Sequence, residues 1–372
     1  MSWQRNSEVK KRVGMLTTKS GVVPTPFFMP DATRATVRGV MPEELKKVHI
    51  EALVVNTYHL FVQPGEKLIA EAGGVHQFMQ WDRPILSDSG GYQVFSLIHK
   101  DKSLGRITED GAEFRVPTTG DKKLLTPERS IQVQFDLGVD IMICLDDPRP
   151  NTISYEEMAD SVERTIRWAK RCKDEFNRQL EIRAIAPDKR PLLFGVVQGG
   201  KEKDLRLRCA EALREIDFDG YGFGGRHIDE DGALLEEIVR YTAEVMPENK
   251  PRFALGVGTP SDIVKFYQMG WDMFDCVIPT REGRHGRLFI WNREALDSDK
   301  LAPDFYTTIN ITNAEHREDF GPVDPSCDCD LCQKYSRSYL KHLFSVGEPL
   351  ALTLASIHNL RFYTRLMEKL RA

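Results

Sequence analysis

Three cysteines fall within six residues, Cys327, Cys329 and Cys332 in the stretch CDCDLC. Thiolates are soft ligands with a strong preference for zinc, and Cys-x-Cys-x-x-Cys lets three sulfurs converge on one ion from a tight turn. A fourth ligand is available in His358, in the helix-like run LALTLASIHNLRFYTRLMEKL, where a nearby turn can fold back onto the cluster. Asp328 and Asp330 lie inside the turn, and three-thiolate sites are usually completed by imidazole. A Cys3His shell leaves no open position for water or substrate, so the expected Zn2+, one per subunit, is structural and the chemistry belongs elsewhere. Four further cysteines (Cys144, Cys172, Cys209, Cys276) are scattered singly and the total of seven is odd, which fits reduced thiols better than a secreted disulfide framework.

Polar residues recur at the tails of short apolar runs: Asn56, Asp88, Asp146, Gln198, Gly225 and Asp275, with Tyr92 and Gln93 just beyond Asp88. Two carboxylates facing one another across a shared mouth can divide labour, one attacking a sugar carbon while the other shuttles a proton, which suits glycosyl transfer. Asp146 and Gln198 add an acceptor and an amide for the edge of a purine-like base, and Tyr92 offers a face for stacking. Each has a plainer structural role open to it: Asp88 or Asp275 as a helix cap, Tyr92 as a core aromatic, Gln198 as a partner for backbone at the Gly199-Gly200 turn.

The elements that must position these groups number eight: PFFMPD, ALVVNTYHL, PILSDSGGYQ, DIMICLDD, LLFGVVQGG, GYGFGG, RFALGVG and MFDCVIPTR. Runs this short and this rich in Val, Ile, Leu and Phe suit strands buried on both faces. Helix-like segments lie between many of them, including PEELKKV, TPERSIQVQFDLG, SYEEMADSVERTIRWAKRC, KDLRLRCAEALREI, DGALLEEIVRYTAEVM and PSDIVKFYQMG. The alternation predicts an α/β fold, a (β/α)8 TIM barrel, whose catalytic groups sit where strands end and loops begin. An open doubly wound sheet is second choice, because no glycine-rich phosphate fingerprint follows the first strand. Two segments break the pattern: a hairpin-like excursion at about 95–126, and the cysteine-bearing block. The expected organisation is a barrel over 1–301, a zinc-binding subdomain over 302–347, and a helix over 348–372 that supplies His358 and packs on the barrel.

The 372 residues, 41% of them hydrophobic, suffice for one large core with an appendage. The amino terminus MSWQRNSEVKKR is polar, no apolar run approaches a membrane span, and the mean hydropathy is negative, so a cytoplasmic protein without a membrane partner is expected. A net charge of −5 argues against indiscriminate nucleic-acid binding. Basic charge is local instead: seven Lys or Arg against two acids from Leu331 onward, and Arg281, Arg284 and Arg287 three apart in REGRHGR. A solvated helix face and a polar loop would account for these patches, and so would a nucleic-acid partner at one edge.

SDSGGYQVFSL, VVQGG, GVGTPSD, MFDCVIPTR and CDCDLC followed by His358 together resemble the bacterial tRNA-guanine transglycosylases, in the same order, and the resemblance covers nearly the whole chain from about Pro24. It implies that Asp275 is the nucleophile toward the wobble-guanosine ribose of tRNAs with a G-U-N anticodon, and that Asp88 is the general acid and base. A 7-deazaguanine, most simply 7-aminomethyl-7-deazaguanine, replaces guanine by double displacement on the way to queuosine. It further implies a base pocket of Ser89, Gly90, Gly91, Tyr92, Asp146, Gln198, Gly224, Gly225 and Leu255, and zinc ligands Cys327, Cys329, Cys332 and His358. The implied RNA contacts are Gly256, Val257, Gly258, Thr259, Pro260, Ser261, Asp262, Thr280, Arg281, Glu282, Gly283 and Arg284. Homodimers form in this family through the zinc lobe, for which Tyr335, Tyr339 and His342 are available. The chain departs from the family pattern at Arg226-His227-Ile228-Asp229, Asp146-Asp147-Pro148, Thr259 (usually Lys) and His285 (often Asn). The first two departures fall where the substituent of the deazapurine should lie, so direct insertion of queuine is an alternative, as is a non-catalytic tRNA-binding subunit; a retaining glycosidase would leave the zinc lobe unexplained.

Overall fold

The eight apolar runs form eight parallel strands: β1 (Phe27–Pro30), β2 (Leu53–Val55), β3 (Ile85–Ser87), β4 (Ile141–Ile143), β5 (Leu192–Val197), β6 (Gly220–Phe223), β7 (Arg252–Ala254) and β8 (Met273–Cys276). In the computed structural model, which describes residues 3–5, 12–297 and 301–372, strands β2 to β8 pair in parallel in sequence order, and β8 returns to β1. The cylinder closes where Asp31 bridges Val54 and the Ala32 N–H donates to the Val54 carbonyl at 2.7 Å. The closed barrel expected from the alternation of runs is therefore present, and the open sheet is not. Residues 298–300, beside the expected boundary at 301, and most of the polar amino terminus lie outside the described residues.

Alternation along each strand divides the core. Phe27, Met29, Leu86, Ile141, Ile143, Phe194, Val196, Phe253 and Met273 fill the barrel interior, and a hairpin of Gly14–Thr18 and Gly21–Thr25 plugs its floor with Leu16 and Val23. The opposite side chains, such as Phe28, Val55, Ile85 and Phe274, pack outward against the helices. Burying each large apolar side chain stabilises the fold by roughly 1.5–3 kcal/mol, and the number of such groups in both layers is what makes the cylinder rigid enough to hold a site.

The floor is also tied by a repeated polar device. Asp140, Asp219 and Asp272 each immediately precede an even-numbered strand and accept the first free N–H of the preceding strand: Ile85 at 2.8 Å, Leu193 at 2.9 Å and Arg252 at 2.9 Å. Each carboxylate has a cationic or imidazole partner, His76, Arg190 and Arg12 respectively. Strand starts that would otherwise leave buried donors unpaired are thereby satisfied.

The helix-like segments are helices with shifted ends. The helix Tyr155–Ile182 runs well past Cys172, and it starts with a Ser154 and Glu157 capping box. DGALLEEIVRYTAEVM becomes helical only at Glu236, because residues before it turn back in a bridge between Ile228 and Leu234. The excursion after β3 continues the helix Gly91–Lys100 and then forms an antiparallel sheet of three strands, Gly105–Ile107, Ala112–Arg115 and Lys122–Leu125, one more than a hairpin. Toward the carboxyl end, a two-stranded ribbon (Arg287–Trp291 with Tyr306–Asn310) leads to the cysteine turn and to the 23-residue helix Pro349–Arg371. That last helix reaches back to the barrel through Thr364 Oγ1 to the Val48 carbonyl, at 2.8 Å, and Arg371 to Glu51, at 3.0 Å. Among the described residues no helix is long and apolar enough to cross a membrane.

Asp272 is fully buried and Arg12 nearly so, joined by two charge-assisted hydrogen bonds of 2.9 and 2.7 Å. Replacing one member strands the other. Arg12→Met is expected to lower stability by about 3–5 kcal/mol, read as a fall in the thermal midpoint; a midpoint equal to the wild type would show that the floor does not depend on this pair.

Candidate active site and metal centre

All eight strands point the same way, so their carboxyl ends share one rim, and a cavity of about 560 Å³ opens there. Asn56, Asp88, Asp146, Gly225 and Asp275 all line it, with Ser89, Gly90, Tyr92 and Leu255. Gln198 lies just behind the wall and Gly91 beneath it, both buried.

Asp88 follows β3 and is held by groups from two directions. Its Oδ1 accepts the N–H groups of Thr57 and Gly90, each at 3.0 Å, and its Oδ2 accepts Gln93 Nε2 at 3.1 Å and Asn56 Nδ2. Asn56 also caps the helix Thr57–Val62, so the end of β2 fixes the carboxylate at the end of β3. Asp275 sits within β8 and lines the cavity; its Oδ1 accepts the Gly256 N–H at 2.8 Å, and among the described residues its Oδ2 has no hydrogen bond. Gly256 makes this possible with φ +71, the left-handed region glycine enters freely. Burial raises the pKa of Asp88 to about 7, against the lowering influence of its N–H donors and with the negative charge of Asp275 adding to the rise. Burial likewise raises Asp275 to about 7, opposed by Gly256 and assisted by Asp31. The charge of Asp275 thus acts on Asp88, and both carboxyls line one cavity.

Asp146 is the third such group, raised to about 7 by burial although Gln198 Nε2 donates to its Oδ2 at 2.6 Å. Gln198 is spent on Asp146 rather than on backbone; Arg206, fully buried, supplies the Gly199-Gly200 turn instead, donating to the carbonyls of Val197 at 2.7 Å and Gly200 at 3.0 Å. Gly224 must be glycine, since a Cβ there would lie 2.5 Å from Gln198 Nε2. Tyr92 is 62% exposed at the cavity mouth, which rules out a role as core aromatic. One acid escaped the sequence reading: Asp31, at the tail of PFFMPD, lines the same cavity and is signalled by the same strand-end rule that located the others.

The expected RNA-contact residues divide. Arg281 is half exposed and lines the cavity, and Arg284, half-buried, has an Nη1 with no hydrogen-bond partner among the described residues. Burial lowers the pKa of Arg284, and the positive charges of Arg38 and Arg281 lower it further against the raising influence of Asp31, so three arginines act on one another near the cavity. Arg38 went unremarked in the sequence, having no motif around it. Gly283 permits a close helix crossing, because a Cβ would stand 2.9 Å from the Ala355 carbonyl group. Thr280 and Val257 are buried, Glu282 lies 3.5 Å from Arg281, and Gly258 packs so tightly that a Cβ would overlap Cys276 Sγ. Thr259 accepts the Asp262 N–H at 3.2 Å and donates to the Asp262 carboxylate at 2.6 Å, capping a helix that starts at Pro260; Ser261 Oγ reaches Tyr306 at 3.4 Å.

The departures from the family pattern also divide. Asp147 points away from the cavity, fully buried between Arg149 at 2.9 Å and Arg164 at 2.5 Å. Asp229 is paired with Lys201 at 2.7 Å. Pro148, Arg226, His227 and Ile228 do line the cavity, and the Arg226 carbonyl accepts Asn151 Nδ2 at 3.1 Å, joining the two loops into one wall.

Cys327, Cys329, Cys332 and His358 are all buried, with ligand atoms within 4.8 Å of one another. His358 Nδ1 lies 3.7 Å from Cys329 Sγ and 3.2 Å from Cys332 Sγ. A tetrahedral zinc bound at ordinary distances sets nitrogen and sulfur about 3.6 Å apart, so the group fits a zinc ion. His358 Nε2 donates to the Phe289 carbonyl at 2.7 Å, which orients the ring and directs Nδ1 to the metal position. Asp328 and Asp330 are engaged elsewhere, with Arg361 at 2.6 Å and Lys334 at 2.9 Å.

Comparison with known proteins agrees with this geometry. The TGT family model, queuine tRNA-ribosyltransferase, matches residues 7–372. A queuine tRNA-ribosyltransferase of Caldanaerobacter subterraneus is 45% identical over 368 residues, 99% of this chain and 91% of its own length. Those of Lysinibacillus sphaericus and Staphylococcus aureus are 44% and 43% identical, covering 97% of this chain and 87% and 88% of theirs. With the match spanning barrel, carboxylate rim and cysteine cluster alike, the chain belongs to the queuine tRNA-ribosyltransferase family.

Proposed function

We propose that the rim cavity exchanges the wobble guanine of tRNAs with a G-U-N anticodon for a 7-deazaguanine, most simply 7-aminomethyl-7-deazaguanine, in queuosine formation. The observation that carries the reading is that Asp275 and Asp88 open onto one cavity, each with a pKa raised to about 7. In the first half-reaction Asp275 Oδ2 forms a bond to the ribose anomeric carbon while the bond to guanine breaks, and the Asp88 proton passes to the departing base. In the second, Asp88 takes the proton of the incoming base, that base attacks the same carbon, and the Asp275 ester bond breaks. Two inversions retain configuration, and no water or ATP is consumed. Burial keeps Asp88 protonated near neutral pH, so that it can give a proton to the departing base and later take one back, and a carboxylate raised toward 7 is the stronger nucleophile once Asp275 is ionised. The Gly256 N–H keeps one Asp275 oxygen fixed so that the other faces the sugar.

Asp146, oriented by Gln198, reads the base edge, with Ser89, Gly90 and Gly91 beneath and Gly224, Gly225 and Leu255 forming the wall, while Tyr92 stacks on the base. Arg281 and Arg284 hold phosphates or splayed bases of the anticodon loop. The cysteine cluster binds one Zn2+, which braces the arginine loop through the His358 helix and takes no part in the exchange. Tyr335 and Tyr339, stacked at 5.2 Å with Tyr339 partly exposed, offer a surface for a homodimer. A second reading, direct insertion of queuine, is favoured by one observation: Arg226, His227 and Ile228 enter the wall beyond Gly225.

Asp275→Asn is expected to keep the fold and the metal but to abolish exchange and any covalent RNA adduct; an adduct that persists in this variant would reassign the nucleophile, and a wild type that never forms one would revive a non-catalytic tRNA-binding role. Since Asp275 must be ionised and Asp88 protonated in the first step, kcat/KM should follow a bell centred near pH 7. The same shift has a stability sign. A carboxyl whose folded pKa exceeds its unfolded value binds its proton more tightly when folded, so rising pH between about 4 and 7 erodes stability. The thermal midpoint of Asp275→Asn should therefore exceed the wild type above pH 7 and match it below pH 4. Assays with each free base on a U-G-U transcript decide between the two readings: queuine incorporated and the aminomethyl base refused would select the second. Chelation of the metal, or Cys329→Ser, should lower the thermal midpoint and soluble yield; an unchanged midpoint after metal loss contradicts the structural assignment.

A further inference from the structure

A second cavity, of about 490 Å³, lies on the three-stranded sheet inserted after β3, away from the carboxylate rim. Its charged lining is Lys102, Arg106, Arg115, Lys122 and Lys123 against a single acid, Glu113. The register across the three strands shows how unevenly this charge is distributed. Arg106 stands opposite Glu113 and bonds it at 2.7 and 3.1 Å, a matched pair. Arg115 stands directly opposite Lys122, both are exposed, and among the described residues neither makes an ion pair. Like charges directly opposed across an antiparallel pair destabilise the sheet, so this rung opposes the local fold where its neighbour supports it. Such conflicts between local preference and structure concentrate at sites that serve a ligand. In a chain of net charge −5, a concave surface with five cations selects an anion.

The position suggests which anion. Phe114, in the lining, packs on Tyr58 with ring centroids 5.5 Å apart, and the neighbouring Thr57 N–H holds Asp88. The helix Gly91–Lys100 starts beside Tyr92 at the catalytic mouth and ends two residues before Lys102. Ten residues of helix span about 15 Å, or roughly four nucleotides of a stacked strand at ~3.4 Å each. We infer that this basic cavity is a second RNA site, in which Arg115 and Lys122 grip phosphates of the strand flanking the anticodon loop while the exchanged nucleotide occupies the rim. The inference rests on tRNA being the substrate of that rim.

Binding of a tRNA transcript with a U-G-U anticodon to the zinc-loaded protein, measured from 50 to 200 mM salt, tests it. The double variant Arg115→Gln, Lys122→Gln should bind about tenfold more weakly at the lowest salt, with the slope of log K against log salt reduced by roughly 1.5–2. Its kcat at saturating tRNA and its KM for the free base should equal the wild type. Lys122→Glu gives a readout that a purely structural role would not produce: it relieves the opposed charges, so its thermal midpoint should equal or exceed the wild type while tRNA binding falls. An unchanged slope and Kd in the double variant overturns the site. Failure of the wild-type protein to exchange guanine at all would count against the reaction assigned to the rim, and is read separately in the exchange assay.

Discussion

Closure of the sheet between Asp31 and Val54 brings the carboxyl ends of all eight strands to one edge. Without that seam, residues at the end of β1 and β8 would stand at the far border of an open sheet from those at the end of β2 and β3. With it, Asp275 and Asp88 share a cavity and the charge of one raises the pKa of the other. The two apolar layers make the closure rigid, and the three aspartates at the floor tie neighbouring strand starts, so the rim inherits its spacing from contacts made at the opposite end of the cylinder.

The cysteine cluster, whose four side chains could hold a metal ion, is tied to this scheme through one helix. His358 lies on the last helix, which also crosses the arginine-bearing helix Ile278–Arg284 at Gly283 and hydrogen-bonds Gly258 through Tyr363 at 2.5 Å. One long helix therefore links the cysteine cluster to the loop after β8 and to the loop after β7, the same two segments that present the basic edge and hold Asp275. A closed shell of three sulfurs and an imidazole suits such a mechanical part, because it fixes geometry and offers no vacant position for chemistry.

Departures from the family pattern do not weigh equally once they are placed in space. Asp147 and Asp229 are additional carboxylates in the sequence, yet the first is neutralised by two arginines inside the protein and the second by Lys201. Thr259 trades the usual lysine for a helix cap. Arg226 is different: it brings a cation to the cavity wall beyond Gly225, in a cavity that also holds Asp31, Asp88, Asp146 and Asp275. Selectivity among bases depends on which groups at a pocket wall are left unpaired, so this position rather than the extra acids bears on substrate choice.

Several features were legible in the chain alone. The eight apolar runs specify strands because short stretches of Val, Leu, Ile and Phe can be buried on both faces only in a parallel sheet covered by helices. The cysteine spacing and His358 specify a metal site because few other arrangements need three thiols in six residues, and the polar tails of the runs marked Asp88, Asp146 and Asp275. Only the tertiary structure decided which backbone donors hold each carboxyl, that Gln198 serves Asp146 while Arg206 serves the turn, that Asp31 joins the rim, and that Arg38 stands beside Arg284. These are contacts between segments far apart in the chain, and their distances come from how the barrel closes and the last helix docks, which no local pattern encodes.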